Sequence, residues 1–543
     1  RATAVGYVSG YSEQGIDTVA VGTSSGQTSQ GASTVAVGFK AGFSEQGAQA
    51  IAMGRLTGTT SQGANAVALG YAAGNSEQGA STAAVGYQAG QTSQGANAVA
   101  VGYLAGNSEQ GANGVALGVE SGQTSQATHA IAVGYRAGYT EQKIHAIAIG
   151  VLAGSTKQGC SSVAVGREAG QTSQGKNSVA VGYVAGQTAQ GQLATALGYY
   201  AGKMAQGASS VAIGREAAVN SQGASAVAIG VTAGHTSQGV NSVAMGNLAG
   251  LVAQGANSVA IGVNAARSNQ GAESIAMGNA AGFTGQLGNA TALGSIAGYS
   301  NQGAQATAVG REAAKHNQGG NATAVGYLAG STSQGTYAVA IGNTAGQTTQ
   351  ATESTAIGTA AGMTSQRFAS VAVGRIAGRF VQGSYSVAIG NAAGMTSQAA
   401  YCVAIGANAG LSNQELLSVA VGHDCGLTSQ GTSSVAMGPY AAQIVQGDFA
   451  TAVGREAGQT SQGARAVAMG YAAGDQAQGT EAVAVGYLAG HIGQLDFTTA
   501  LGTAAAQTTQ GTQATALGYL AGRASQGARA TAVGYLAGHV GQA

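Results

Sequence analysis

The chain repeats with a fixed period of 16 residues, and no insertion or deletion interrupts the period from one end to the other. Three positions of the repeat never vary: one is always glutamine, one always glycine and one always alanine. Fixed-period repeats this short and regular are typical of solenoids, in which each repeat forms one coil stacked on the next. The invariant positions are represented by Gln14, Gln30, Gln46, Gln62, Gln78 and Gln94, by Gly6, Gly22, Gly38 and Gly54, and by Ala4, Ala20 and Ala36.

The residue pattern within one repeat predicts a short β-strand followed by turns. We number the repeat positions as columns 1 to 16, starting from Arg1, and Ser258–Gly262 shows the typical sequence of columns 2 to 6. Columns 3 and 5 carry Val, Ile, Leu, Met or Thr, whereas columns 2 and 4 carry small residues, which is the alternation of a strand. We expect the larger side chains to form the core and the small ones to face a closely approaching surface, such as a neighbouring chain.

The remaining columns predict how the coil closes. Columns 7 and 8 vary freely, as at an outward corner, whereas columns 9 and 10 are small and should point inward. Sixteen residues are too few for a helix-containing repeat, so we predict an all-β parallel solenoid with one coil per repeat. Coils spaced like strands, about 4.8 Å apart, would give a rod of about 160 Å. Residues 1–543 should then form one continuous rod without an internal domain boundary.

Glutamine in column 14 predicts a ladder of stacked carboxamides, because each amide can donate to the next coil and accept from the previous one. Column 13 alternates between glutamate and serine over the first nine repeats, for example Glu13, Ser29, Glu45 and Ser61. Glutamates in every second coil repel one another less than glutamates in adjacent strands would. The same alternation is also what duplication of a 32-residue unit would leave.

Composition excludes several classes of protein. A formal net charge of +1 provides no field for nucleic acid, and no apolar run is long enough to span a membrane. Only 7% of the residues are charged, and 94 are glycine, without the glycine period or proline content of collagen. Cys402 and Cys425 replace small residues of the repeat, so we expect them to be buried apolar side chains and not part of a disulfide framework. Because Arg1 lies in mid-repeat, we expect the chain to be a segment of a longer protein or a processed product.

The kernel of the repeat resembles that of a known family. Ser210–Ala217 reads Ser-Val-Ala-Ile-Gly-Arg-Glu-Ala, and Ser386–Ala393 follows the same order with Asn-Ala-Ala at its end. This kernel resembles the head repeat of trimeric autotransporter adhesins, the YadA-like or haemagglutinin-type repeat, and similar repeats in fibres of phages and large viruses. The resemblance implies a left-handed β-roll, three parallel chains, and a place on a cell or virion surface. The repeat here is longer than the family's, with an additional piece around the glutamine turn.

No catalytic, cofactor-binding or metal-binding site is expected. Catalysis needs a unique cluster of groups, and no group of carboxylates interrupts the repeat. His129 and His145, one coil apart in column 1, are the only neighbouring histidines, and we interpret them as a solvated corner. Column 7 carries runs of tyrosine that would stack between coils, and these are the candidates for surface contact: Tyr71, Tyr87, Tyr103, Tyr471, Tyr487, Tyr519 and Tyr535.

The sequence therefore predicts a structural or adhesive fibre segment at an extracellular, cell or virion surface. Its expected partners are further copies of the chain, in a parallel homo-oligomer or filament, and host-surface glycans or proteins. An ice-binding solenoid is the alternative, because column 12 is Thr or Ser in 24 of 34 repeats. A single-chain scaffold that binds sugars through the tyrosine strips is a further alternative.

Overall fold

The computed structural model describes residues 1–542, and these residues form strands and turns without a helix. The chain divides into two compact units, Arg1–Glu273 and Ser274–Ala543. Each unit is a parallel β-solenoid with one coil per repeat, about 34 coils in all. The predicted all-β solenoid with a 16-residue coil is therefore confirmed.

Each coil contains a first strand at columns 3 to 5 and, in most coils, a second at columns 12 to 14. In each unit the first strands form sheet A and the second strands form sheet B, both parallel. In the first unit the sheet A strands are Ala2–Val5, Thr18–Val21, Val35–Val37, Ile51–Met53, Val67–Leu69, Ala83–Val85, Val99–Val101, Val115–Leu117, Ile131–Val133, Ile147–Ile149, Val163–Val165, Val179–Val181, Thr195–Leu197, Val211–Ile213, Val227–Ile229, Val243–Met245 and Val259–Ile261. Its sheet B strands are Thr28–Gln30, Ser44–Gln46, Thr60–Gln62, Ser76–Gln78, Thr92–Gln94, Ser108–Gln110, Thr124–Gln126, Thr140–Gln142, Thr156–Gln158, Thr172–Gln174, Thr188–Gln190, Met204–Gln206, Asn220–Gln222, Thr236–Gln238, Val252–Gln254 and Ser268–Gln270.

The second unit has the same two sheets. Its sheet A strands are Ile275–Met277, Thr291–Leu293, Thr307–Val309, Thr323–Val325, Val339–Ile341, Thr355–Ile357, Val371–Val373, Val387–Ile389, Val403–Ile405, Val419–Val421, Val435–Met437, Thr451–Val453, Val467–Met469, Val483–Val485, Thr499–Leu501, Thr515–Leu517 and Thr531–Val533. Its sheet B strands are Thr284–Gln286, Ser300–Gln302, His316–Gln318, Thr332–Gln334, Thr396–Gln398, Ser412–Gln414, Ser429–Gln430, Val445–Gln446, Ser461–Gln462, Gln476–Gln478, Ile492–Gln494, Ala524–Gln526 and Val540–Gln542.

Neighbouring coils pair in strict register, so that each column lies against itself. In sheet A, Ala84 is opposite Ala100, and in sheet B, Gln94 is opposite Gln110. Backbone hydrogen bonds continue through the turns, for example from Gly90 N to Ala105 O at 2.9 Å. Because nearly every coil repeats these bonds, the backbone ladder is the main element that joins one coil to the next.

Glycine in column 6 is required by the close approach of adjacent coils. Gly102 has a φ of +137°, which residues with a side chain rarely adopt, and a Cβ added there would lie 2.4 Å from the carbonyl oxygen of Gly118. Each sheet A strand therefore ends at a turn that only glycine can form. Any side chain there would need an unfavourable backbone conformation and would collide with the next coil. This contact explains why column 6 never varies.

The core is the reverse of the predicted one. The small residues of columns 2 and 4 point into the solenoid, as for Ala100 at 0% exposure, whereas Val99 and Val101 point outward and are half-buried. The interior is too narrow for larger aliphatic side chains: a Cβ at Gly106 would already lie 3.2 Å from Cβ of Ala100. The prediction that columns 3 and 5 form the core, with the small columns against a neighbouring chain, is therefore wrong.

Candidate functional site

The interior of each unit is built around the column 14 glutamines. They supply the largest fully buried side chains of the described residues, among them Gln110 and Gln126. Gln110 Nε2 donates to the carbonyl oxygen of Val99 at 2.9 Å, across the coil interior, and to Oε1 of Gln126 at 3.0 Å in the next coil. From Gln46 to Gln526 the glutamines therefore join sheet B to sheet A, and many also join successive coils.

The amide-to-amide bonds occur in runs of coils. One run extends from Gln78 to Gln158, with Nε2 to Oε1 distances of 3.0 to 3.3 Å. Between runs, Nε2 donates only to backbone carbonyls, as Gln174 does to the carbonyl oxygen of Val163 at 2.8 Å. Oε1 of Gln174 has no hydrogen-bond partner, but the residue is only 3% exposed, so column 14 offers no polar track to a ligand.

The invariant glycine and alanine columns also lie against neighbouring coils. A Cβ at Gly6, Gly22, Gly38 or Gly54 would approach the next coil's carbonyl oxygen within 2.4 Å. Ala20 and Ala36 are buried at 1% and 0% exposure, whereas Ala4 belongs to a strand whose residues are all exposed. The alanines are therefore inaccessible to a ligand except in that one strand, whereas the glycines are half-buried or, at Gly6, exposed.

The outer face of sheet A is an exposed aliphatic surface. We call the outward side chains of columns 3 and 5 the aliphatic face. Single residues of this face remain substantially exposed, such as Met53 at 44%, Leu197 at 44% and Ile341 at 39%. Soluble single chains rarely expose continuous apolar patches larger than a few hundred Å². The aliphatic face is therefore the most prominent candidate interaction surface in each unit.

The column 7 tyrosines stack as parallel rings on successive coils. Tyr71, Tyr87 and Tyr103 have centroid spacings of 5.0 and 5.1 Å with interplanar angles of 7° and 12°. The guanidinium of Arg55 lies 5.3 Å from the Tyr71 ring and covers its other face. The strip therefore presents ring edges and hydroxyls outward, while most ring faces are covered by neighbouring coils. Two further stacked pairs are Tyr471 with Tyr487 and Tyr519 with Tyr535.

Several Thr and Ser hydroxyls of column 12 are bonded to the backbone of the next coil. Thr92 Oγ1 donates to the carbonyl oxygen of Asn107 at 3.3 Å, and Thr124 Oγ1 to that of Tyr139 at 3.3 Å. The next residue along strand B has a left-handed backbone, with φ of +51° at Ser93, which puckers the strand. These bonds and the puckered strand weigh against the ice-binding hypothesis, which depends on ranks of free, coplanar hydroxyls.

The alternating column 13 residues form hydrogen-bonded pairs. Ser29 Oγ donates to Glu13 Oε2 at 2.6 Å, and Ser93 Oγ donates to Glu77 Oε2 at 2.7 Å. A serine between two glutamates thus separates the charges and also binds one of them. Both the pairing and the spacing favour alternation over a continuous column of glutamate.

Titratable groups are isolated along the chain. Burial raises the pKa of the Cys425 thiol to about 12 and also raises that of Cys402, and both cysteines are fully buried as expected. Burial likewise raises the pKa of Asp475, which the nearby His491 lowers and Glu456 raises further. His129 and His145 stack at 5.0 Å. Within residues 1–542, no group of three or more His, Cys, Asp or Glu side chains is arranged to hold a metal ion.

Grooves occur where the usual glycine of column 15 is replaced. These positions were not among the site residues predicted from the sequence. Five grooves of about 280 to 660 Å³ lie beside the turn that follows sheet B. The sequence signal was available, because column 15 is glycine in most repeats. The replacing residues that line the grooves are Ala127, Lys143, Ala351, Arg367, Ala399, Glu415 and Leu495.

Comparison with known proteins identifies no relative: no protein family and no curated protein matches the chain. Within the described residues, no helix has the length and apolar character needed to cross a membrane.

Proposed function

We propose that this chain is a structural and adhesive fibre segment in which parallel copies associate through the aliphatic face. The observation that carries the proposal is the orientation of strand A. Its alanine packs inside the coil, while its larger residues, such as Ile229 and Ile213, point outward on coil after coil. Burying this face against another surface would remove apolar area from water and stabilise the assembly by about 25 cal/mol per Å².

Another copy of the same chain is the partner that fits this face best. The face repeats with the coil spacing of about 4.8 Å, so a matching surface must have the same spacing over the same length. A parallel copy satisfies both requirements, and parallel packing about a common axis gives every chain the same environment. We favour three chains wound as left-handed rolls, which is the arrangement that the resemblance to adhesin head repeats implies.

A fibre of this kind would act as a stiff spacer or shaft at a cell or virion surface. Its coils are joined by backbone ladders and internal glutamine bonds, and charged residues are sparse. The varied residues of columns 7, 8, 11 and 13 and of the turn after sheet B are left to contact other molecules. Adhesion would then occur along the sides of the fibre.

Sedimentation analysis of the chain tests the proposal. We expect a trimer at micromolar concentration. The double variant Ile213→Lys and Ile229→Lys should dissociate, because charged side chains would enter the apolar interface. Ala205→Lys is the matched control, because column 13 is exposed and already accepts lysine at Lys157. Circular dichroism would verify that both variants keep their strands.

A parent chain that remains monomeric at these concentrations would refute association through the aliphatic face. A dimer or tetramer would support association through the aliphatic face but would show that the number of chains is not three. Equal association of the double variant and the control would show that another surface joins the chains.

A further inference from the structure

One stretch of the second unit departs from the regular coil. Between Gln334 and Gln398, sheet B is reduced to single bridges between successive column 14 glutamines. In the same stretch, column 15 carries Ala351 and Arg367 in place of glycine, and column 16 carries Phe368. The regular solenoid is thus modified over a few consecutive coils, as it is again between Gln494 and Gln526, but only the first of these stretches carries the pair Arg367 and Phe368.

The side chains in column 15 stand where a regular coil has no room for them. In the preceding regular coil, a Cβ at Gly335 would lie 2.4 Å from the backbone nitrogen of Thr352. A side chain at this column therefore requires the turn to move away from its neighbour. Two grooves of about 480 and 280 Å³ lie along this turn, and both are lined by Arg367 and Val381. We call them together the Arg367 groove.

The Arg367 groove carries an unpaired cation. Arg367 is exposed, and none of the ion pairs among the described residues includes it. The other arginines of these coils lie at different columns: Arg375 is in column 7, and Arg379 in column 11 lies over the Phe380 ring at 4.9 Å. An unpaired guanidinium at the wall of a groove is a ready site for a carboxylate, which it binds through two parallel hydrogen bonds.

Phe368 provides an open aromatic surface beside this cation. Tyr385 stacks along the solenoid on Tyr401 at 5.1 Å and 12°, whereas Phe368 is turned by 77° relative to Tyr385 at 5.4 Å. The ring plane of Phe368 therefore runs along the solenoid, and its faces are not covered by a parallel ring on the next coil, unlike those of the column 7 tyrosines. Phe368 is 36% exposed. The hydroxyl groups of Thr349, Ser365 and Ser384 line the same groove.

We propose that the Arg367 groove binds a sugar that bears a carboxylate, as part of a linear acidic glycan. The guanidinium of Arg367 would hold the carboxylate, the Phe368 ring would pack against the C–H face of the sugar, and the hydroxyls would bond to the polyol. A glycan chain can continue along the turn, because one sugar advances by a distance comparable to the coil spacing of about 4.8 Å. The volume lies within the usual range for a ligand site.

A glycan fits this groove better than an extended peptide. Peptides that add to a sheet need unpaired backbone groups at an edge. Here Gln366 N donates to Thr349 O at 3.0 Å, and Gln382 N donates to Ser365 O at 3.2 Å, so the backbone groups of the groove floor are already used. Recognition must come from side chains alone, and these are a cation, an aromatic ring and hydroxyls.

The proposal deepens the adhesive role proposed above and rests on it for its biological meaning. Its test is calorimetric titration of the full chain with oligogalacturonate, with the methyl ester of the same oligosaccharide as the uncharged probe. We expect binding of oligogalacturonate and at least tenfold weaker binding of the ester. Heparin-derived oligosaccharide distinguishes carboxylate recognition from attraction to any polyanion, because it should bind no better than oligogalacturonate.

Two variants locate the site, and one controls for charge. Arg367→Gly and Phe368→Ala restore residues that the repeat commonly carries at these columns, so both chains should fold; each should weaken oligogalacturonate binding at least tenfold. Arg375→Asn removes one arginine in column 7, where asparagine is common, and should leave binding unchanged.

Absence of binding by the parent chain, equal binding of the ester, or unchanged binding by Arg367→Gly would each overturn the proposal. Tighter binding of the heparin-derived oligosaccharide than of oligogalacturonate would show that the groove binds polyanions in general and does not recognise a carboxylate. None of these outcomes depends on the sedimentation experiment, so failure of the groove and failure of the fibre assembly can be told apart.

Discussion

Replacing Gln110 by leucine removes an internal bridge at the middle of a long amide run. Gln110 donates to Val99 O at 2.9 Å and to Gln126 Oε1 at 3.0 Å, and it accepts from Gln94 Nε2 at 3.0 Å. The leucine leaves the Gln126 oxygen and one Gln94 hydrogen without their partners in a buried interior. Each unsatisfied buried group costs about 1–3 kcal/mol, so the local loss for these two groups should be about 2–6 kcal/mol.

Amide hydrogen exchange is the appropriate assay, because a long solenoid need not unfold in one step and a single melting temperature would average over all coils. Peptides covering residues 95–126 should exchange at least thirtyfold faster in Gln110→Leu, whereas peptides covering residues 205–238 should not change. Gln88→Leu is the matched control, since column 8 already carries Leu104 on the outer corner. Equal exchange in the two variants would show that the buried amides do not join the sheets.

Three further predictions concern single positions. Gly102→Ala should unfold its neighbouring coils in exchange experiments, whereas Gly202→Ala should cost less than about 1 kcal/mol, because column 10 carries alanine in several repeats. Asp475 has a pKa raised by burial, so the native state binds its proton more tightly than the unfolded state and stability falls as pH rises from the unfolded value through the raised one. Asp475→Gln should therefore raise the melting temperature at pH 7 and give no gain at pH 3. Cys425 should resist a thiol reagent at pH 8 until the chain is unfolded in urea, whereas the partly exposed Cys160 should react in the native state.

Much of the coil could be predicted from the residue pattern. The uninterrupted period required identical coils in register, and the β-branched kernel predicted a short strand within columns 2 to 6, which the structure has at columns 3 to 5, as in Val99–Val101. The invariant glycine of column 6 predicted either a positive φ or a position without room for a Cβ, and Gly102 has both. These features follow from the spacing of the repeated residues and from the shape of single residues, and both can be derived from the sequence of one chain.

The position of the grooves required the three-dimensional structure, although its signal lay in the sequence. Arg367 and Phe368 are single substitutions in the repeat. The effect of such a substitution on the structure cannot be derived until the packing of the usual residue is known. The close contact at Gly335 shows that column 15 lies against the next coil, so a side chain at this column must change the turn. Stacking geometry also separated the covered faces of Tyr71 and Tyr87 from the open face of Phe368.

The orientation of strand A could not be derived from its pattern. Alternation shows only that Val99 and Val101 share one face and that Ala100 lies on the other; it does not say which face is interior. The usual rule places the larger apolar side chains inside, and here it fails because a 16-residue coil encloses space only for alanine and for the flat amide of Gln110. The larger residues are left outside, where their burial depends on a surface that a single chain does not contain.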